Sequence, residues 1–360
     1  MPSIDRLFDR MLATGASDLH LSVGYPPMLR LRGELVPQGD IPLDLDQVDA
    51  LLDELLDPGR LERFHREGDL DFAHAYEDRA RFRANYFYKS TGPAAVFRTI
   101  PTEILSADDL KLPASILRLA EMRAGLVLVT GPTGSGKSTT LAALIDHINR
   151  TRDAHILTIE DPVEFVHQPR RCLVTHREVG LDCSSFTEAI RSAGRENPDV
   201  VLVGELRGAE TMRLALQMAS YGILVFATVH TNSASSTVDR FINVFPAAQQ
   251  QAVRGMLAES LAGIVAQQLL RRADAPGRIA VHEVLVGTTG VRASIREGKT
   301  KMLESLIQAG KGEGMQSMDQ TLEAYVNAGT IDPLDALDRA LDKHAFARVP
   351  KVAAALGDRA

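Results

Sequence analysis

Gly131-Pro132-Thr133-Gly134-Ser135-Gly136-Lys137-Ser138 fits the G-x-x-x-x-G-K-[ST] pattern of a loop that grips phosphate. Glycines let a backbone wrap tightly and turn its N–H groups inward. A helix beginning at the end of the loop adds partial positive charge beneath an anion. In such a loop Lys137 reaches the β- and γ-phosphates of ATP or ADP, Ser138 ligates Mg²⁺, and Thr139 completes the binding run. Phosphate chemistry also needs acids. Val200-Val201-Leu202-Val203-Gly204-Glu205 is an apolar run ending in a carboxylate, the Walker B pattern with Glu in place of the usual Asp. That places Glu205 where a Mg²⁺-bound water could be held. Ile159-Glu160-Asp161-Pro162-Val163-Glu164 is a second acidic turn after an apolar run. So many carboxylates repel one another unless a cation sits nearby. Glu160 is the candidate general base, and Asp161 a candidate for the magnesium shell. His230 ends a further apolar run and is a candidate sensor of the γ-phosphate.

These groups need strands to carry them. Leu126–Thr130, Ile156–Ile159, Val200–Val203 and Leu224–Val229 are short, continuous apolar runs with helical stretches between them. Continuous rather than alternating apolar strands suit a parallel sheet covered on both faces, and strand–helix alternation predicts α/β architecture. An acid at the carboxyl end of such a strand lies where ligands bind. The first hundred residues read differently. Ile4, Leu7, Phe8, Met11 and Leu12 have helical spacing; Leu19–Val23 and Leu29–Leu31 alternate around a Gly24–Pro27 turn. A helical stretch near Val48–Phe64 precedes two strands, Ala80–Tyr88 and Ala94–Ile100. The division expected is a small α+β domain over 1–100, a linker over 101–113 between Pro101 and Pro113, an ATPase core over 114–288 and a helical region over 289–360.

Composition excludes several classes. With 360 residues, 45% hydrophobic and 24% charged, the chain reads as a globular protein of about two domains. Its 40 basic and 47 acidic residues leave a net charge of −7, against the basic face of a nucleic-acid binder. Cys172 and Cys183 are the only cysteines, too few for a tetracysteine zinc site. No apolar run is long enough to span a membrane, and the first residues lack the pattern of a signal peptide.

Further runs make the pattern specific. Thr158–Phe165 is similar to the Asp box of the secretion ATPase superfamily, Val203–Arg207 to its Walker B, and Thr228–Ala234 to its His box. Asp239-Arg240, Val244-Phe245-Pro246, Met256–Leu261, Ala266–Leu269, Gly15–His20 and Arg81-Phe82-Arg83 continue the match. Within that superfamily the chain resembles the type IV pilus twitching-motility, or retraction, ATPases, to about residue 345. The resemblance implies a PAS-like N-terminal domain and a RecA-like ATPase domain. It implies a cytoplasmic homohexamer docked on the inner-membrane platform protein of the pilus machine. It also implies N-terminal arginines that reach the nucleotide, for which Arg81, Arg83 and Arg98 are the candidates. Val291–Glu297 resembles a weakened form of the family's C-terminal signature helix. Three positions depart from the family: Gly222-Ile223 for Gly-His, Arg207-Gly208 for Arg-Asp, and Asn197-Pro198 for Asp-Pro. They make an accessory paralogue, assisting a principal retraction motor or only weakly hydrolysing, the alternative expectation. An assembly or type II secretion ATPase is a further alternative; those relatives carry a four-cysteine zinc insertion that is missing here.

Overall fold

The computed structural model describes residues 3–77, 79–100 and 103–357. The chain divides into two compact units, one of residues 1–103 with 161–166, the other of 104–160 with 167–360.

In the first unit, α1 (Ile4–Thr14) buries Ile4, Leu7, Phe8 and Met11, the face its spacing predicts. Strands β1 (Asp18–Ser22), β2 (Met28–Leu31) and β3 (Glu34–Pro37) follow, then α2 (Leu45–Asp53) and α3 (Pro58–Glu67). The single helical stretch expected near 48–64 is thus two helices. Asp57 accepts from the Gly59 and Arg60 N–H groups and Pro58 takes the first helical position, so a new helix starts there. Strands β4 (Asp69–Tyr76), β5 (Ala80–Lys89) and β6 (Gly92–Ile100) complete an antiparallel sheet ordered β3-β2-β1-β6-β5-β4. Phe8 stacks on Phe82 at 4.3 Å and meets Phe97 edge-on at 5.1 Å in the core beneath it.

Pro101, the expected start of the linker, lies outside the described residues. From Ile104 the chain already belongs to the second unit, where Ala107 and Leu112 pack with Ile116 and Leu119 of α4 (Ala114–Glu121). Then come β7 (Gly125–Thr130), α5 (Lys137–Thr151), β8 (His155–Glu160), β9 (Leu173–Glu178), α6 (Phe186–Ala193), β10 (Val200–Val203), α7 (Ala209–Ser220), β11 (Leu224–Val229), α8 (Ala234–Asn243) and α9 (Ala247–Ser260). Helix α9 passes directly into β12 (Leu261–Arg271), which turns back as β13 (Arg278–Val286). The sheet is ordered β13-β12-β7-β11-β10-β8-β9, parallel throughout except for β13 at one edge. Both faces are covered, as continuous apolar strands demand. Leu126, Leu128, Val201 and Val203 face one helical layer; Val127, Val129, Val200 and Leu202 face the other.

Beyond the sheet lie α10 (Thr289–Arg296), α11 (Met302–Ala309) and α12 (Met318–Ala328), with shorter helices after them. Val291, Ile295, Leu303 and Ile307 enter the same core as the sheet. Among the described residues no helix is long and apolar enough to cross a membrane.

Candidate functional site

Strand β7 feeds the glycine-rich loop. Gly131 has φ 148°, and a Cβ placed there would lie 2.2 Å from the Gln267 carbonyl oxygen, so the loop closes against β12 only with glycine. Gly134 and Gly136 also have positive φ, 78° and 84°. Pro132, Thr133 and Gly134 are exposed at the loop tip; Ser138 and Thr139 are half-buried in the first turn of α5. No side chain caps that helix, which leaves first-turn N–H groups for a ligand. Lys137 is buried, its Nζ donating to the carbonyls of Gly131 at 2.9 Å and Pro132 at 3.1 Å. The Ser135 hydroxyl oxygen is buried with no hydrogen-bond partner among the described residues.

The order of the parallel strands brings the other candidates alongside. Past β7 come the ends of β11, β10 and β8, which carry His230, Glu205 and Glu160 in turn. The Gly204 N–H donates to the Ile159 carbonyl at 2.8 Å, and a Cβ on Gly204 would stand 3.4 Å from the Glu160 Cα, so Glu160 and the Gly204-Glu205 turn are immediate neighbours. Glu205 accepts from Arg207 at 2.8 Å and lies 3.3 Å from His230 Nε2. Burial pushes its carboxyl up, but the Arg207 hydrogen bond and charge, with His230, outweigh that and hold it below the usual glutamate range. The turn after His230 is tied to β7: the Thr231 N–H donates to Thr130 Oγ1 at 2.8 Å, and the two hydroxyls lie 2.6 Å apart.

Asp161 groups with the first unit, as do the three arginines. There Arg83 and Arg98 are cross-strand partners on β5 and β6, both exposed. Arg98 pairs with the buried Asp18 at 2.8 Å and Arg83 with Asp71 at 3.8 Å. Arg81 is half-buried, its Nη1 without a partner among the described residues.

A family model described as "Type II/IV secretion system protein" matches residues 66–334. The chain belongs to the type II/IV secretion system protein family. Within that family it is 47% identical over 326 residues to the type IV pilus retraction ATPase PilT of Pseudomonas aeruginosa, covering 91% of this chain and 94% of that one. It is 38% identical to the type IV pilus ATPase PilU of the same organism, over 93% and 88% of the two chains. Among solved structures, the pilus retraction motor PilT with bound ADP superposes with a TM-score of 0.88 at 40% identity, covering 95% of this chain and 98% of that one. The Legionella pneumophila ATPase DotB superposes with a TM-score of 0.82 at 26% identity, over 92% and 93%.

Motif reading takes in Gln267 only as part of the run Ala266–Leu269 and assigns it no role. Its side chain reaches from β12 to the glycine-rich loop, donating to the Ser135 carbonyl at 2.7 Å and accepting from Thr140 Oγ1 at 2.7 Å. The sequence signal, a glutamine inside an apolar strand, carries no spacing rule of its own.

Proposed function

We propose that this chain is a Mg²⁺-dependent ATPase whose hydrolysis of ATP powers retraction of a type IV pilus. The observation that carries the reading is the convergence of the glycine-rich loop, His230, Glu205 and Glu160 at the carboxyl ends of four adjacent parallel strands. The 47% identity to a pilus retraction ATPase over nearly the whole chain supports the coupling to a pilus. The higher identity to PilT than to PilU, 47% against 38%, favours a principal motor over an accessory one.

In this reading the loop from Gly131 to Thr139 binds the phosphates through the backbone N–H groups of its residues other than Pro132, and Lys137 exchanges its carbonyl partners for the β- and γ-phosphate oxygens. The donors fit Mg²⁺, a hard cation that prefers oxygen: the Ser138 hydroxyl and the ionised carboxylate of Glu205. Magnesium supplies neutralisation of charge on the phosphate oxygens when it is bound with ATP. Glu160 orients the attacking water and takes its proton. His230, held by Glu205, marks the γ-phosphate. Arg83 and Arg98, side by side on an exposed sheet face, are the foremost candidates for arginines that stabilise transferring phosphate.

The working form proposed is a homohexamer on the cytoplasmic side of the inner membrane, against the platform protein of the pilus machine. Purified protein should release phosphate from ATP, with Lys137→Ala and Glu205→Ala as controls. Deleting the gene should leave cells whose pili extend and fail to retract. Turnover no faster than that of the two variants, or cells without pili, rejects the reading.

A further inference from the structure

Gln267 lies within β12, beside Gln268 and opposite His282 of β13, and is only 2% exposed. A primary amide buried this deeply is costly unless its donor and acceptor both find partners. Both do, and both partners belong to the phosphate loop and the first turn of α5. Nε2 donates to the Ser135 carbonyl, and Oε1 accepts from the Thr140 hydroxyl, each at 2.7 Å. The amide orientation follows: reversed, it would set its oxygen against the Ser135 carbonyl oxygen.

The consequence lies in the peptide joining Ser135 to Gly136. In a trans peptide the C=O and N–H point in opposite directions. A carbonyl fixed on Gln267 therefore turns the Gly136 N–H away from β12, towards the open side of the loop. Little else resists a flip of this peptide. Gly136 has φ 84°, a glycine rotates freely about its backbone, and the Ser135 hydroxyl has no hydrogen-bond partner among the described residues. We infer that Gln267 is a positioning residue that aims the Gly136 N–H at bound phosphate, and that Thr140 in turn orients Gln267.

This inference rests on the nucleotide reading above. Its test is titration calorimetry of the full-length protein with ADP and Mg²⁺, set beside competition by adenosine, which has no phosphate. Gln267→Glu keeps the shape and the acceptor for Thr140 but places an oxygen against the Ser135 carbonyl. It should weaken ADP by about tenfold or more, as loss of one charge-assisted hydrogen bond does, and leave adenosine within about twofold. Thr140→Val should weaken ADP several-fold, and Thr140→Ser, which restores a hydroxyl, should rescue it. Should Gln267→Glu fail to fold, the Thr140 pair decides. Equal weakening of ADP and adenosine, or unchanged ADP affinity in folded variants, overturns the positioning role. Wild-type protein that takes up no ADP overturns the nucleotide reading itself.

Discussion

The Glu205 carboxylate and the His230 imidazole meet at 3.3 Å across the ends of two neighbouring strands, β10 and β11. Arg207 holds the other carboxylate oxygen at 2.8 Å. Glu205→Gln keeps the shape of this bridge and removes its charge. Single-turnover phosphate release at saturating nucleotide and Mg²⁺ should fall by about a hundredfold or more. The lowered pKa of Glu205 keeps it charged at every pH above 4.5, so its contribution fades only as pH drops through a lower value. Arg207→Ala removes the stronger partner and should move the acid limb of the turnover profile upward.

Gly131→Ala tests how closely the phosphate loop is packed. The added methyl would sit 2.2 Å from the Gln267 carbonyl oxygen and 2.6 Å from Ser135 Oγ, at a φ of 148° that side chains seldom adopt. The backbone on one side is a strand and cannot withdraw, so the loop must. Calorimetry should find ADP uptake reduced by at least about tenfold. Unchanged uptake would mean that the loop opens without consequence for binding.

Glu283 gives a prediction for stability. It is buried on β13, where the Ala234 N–H at the start of α8 donates to it at 2.6 Å and the Met318 N–H at the start of α12 donates as well. Burial pushes its carboxyl up to about 7, with Glu304 and Asp319 adding repulsion. The folded protein thus keeps a proton that the unfolded chain gives up near 4.5. The stability linked to that proton is full below 4.5 and drains as pH rises to about 7, by roughly 3 kcal/mol. Melting temperature should fall across that interval, and Glu283→Gln should flatten the fall.

The pair of Asp18 and Arg98 predicts an asymmetry. The Asp18 side chain is 4% exposed and that of Arg98 69%. Asp18 also faces Arg30 at 3.7 Å and accepts from the Ser17 hydroxyl. Asp18→Ala should cost about 1–3 kcal/mol in denaturant unfolding, and Arg98→Ala nearer 0–1, because water replaces an exposed partner. Equal costs would show that the carboxylate is less enclosed than its contacts indicate.

The strands that carry chemistry were the most legible part of the chain. β7, β8, β10 and β11 are nearly unbroken apolar runs, each stopped by glycine, proline or a charge, and burial on both faces selects that pattern. β9, Leu173–Glu178, mixes threonine, histidine and arginine because it is an edge strand, partly open to solvent. β12 was hidden for another reason. It follows α9 with no glycine or proline at the joint itself, and both segments carry several alanines and glutamines. The run Ala266–Leu269 is visible in the sequence but the role of Gln267 is not, since it comes from Ser135 on the loop after the adjacent strand rather than from anything nearby in sequence.

That unbroken passage from α9 to β12 has a mechanical meaning. Ser260 ends the helix and Leu261 begins the strand, so no loop residue separates the two. A displacement of α9 would therefore meet the strand that bears Gln267 with only the irregularity between Leu261 and Gly263 to take it up.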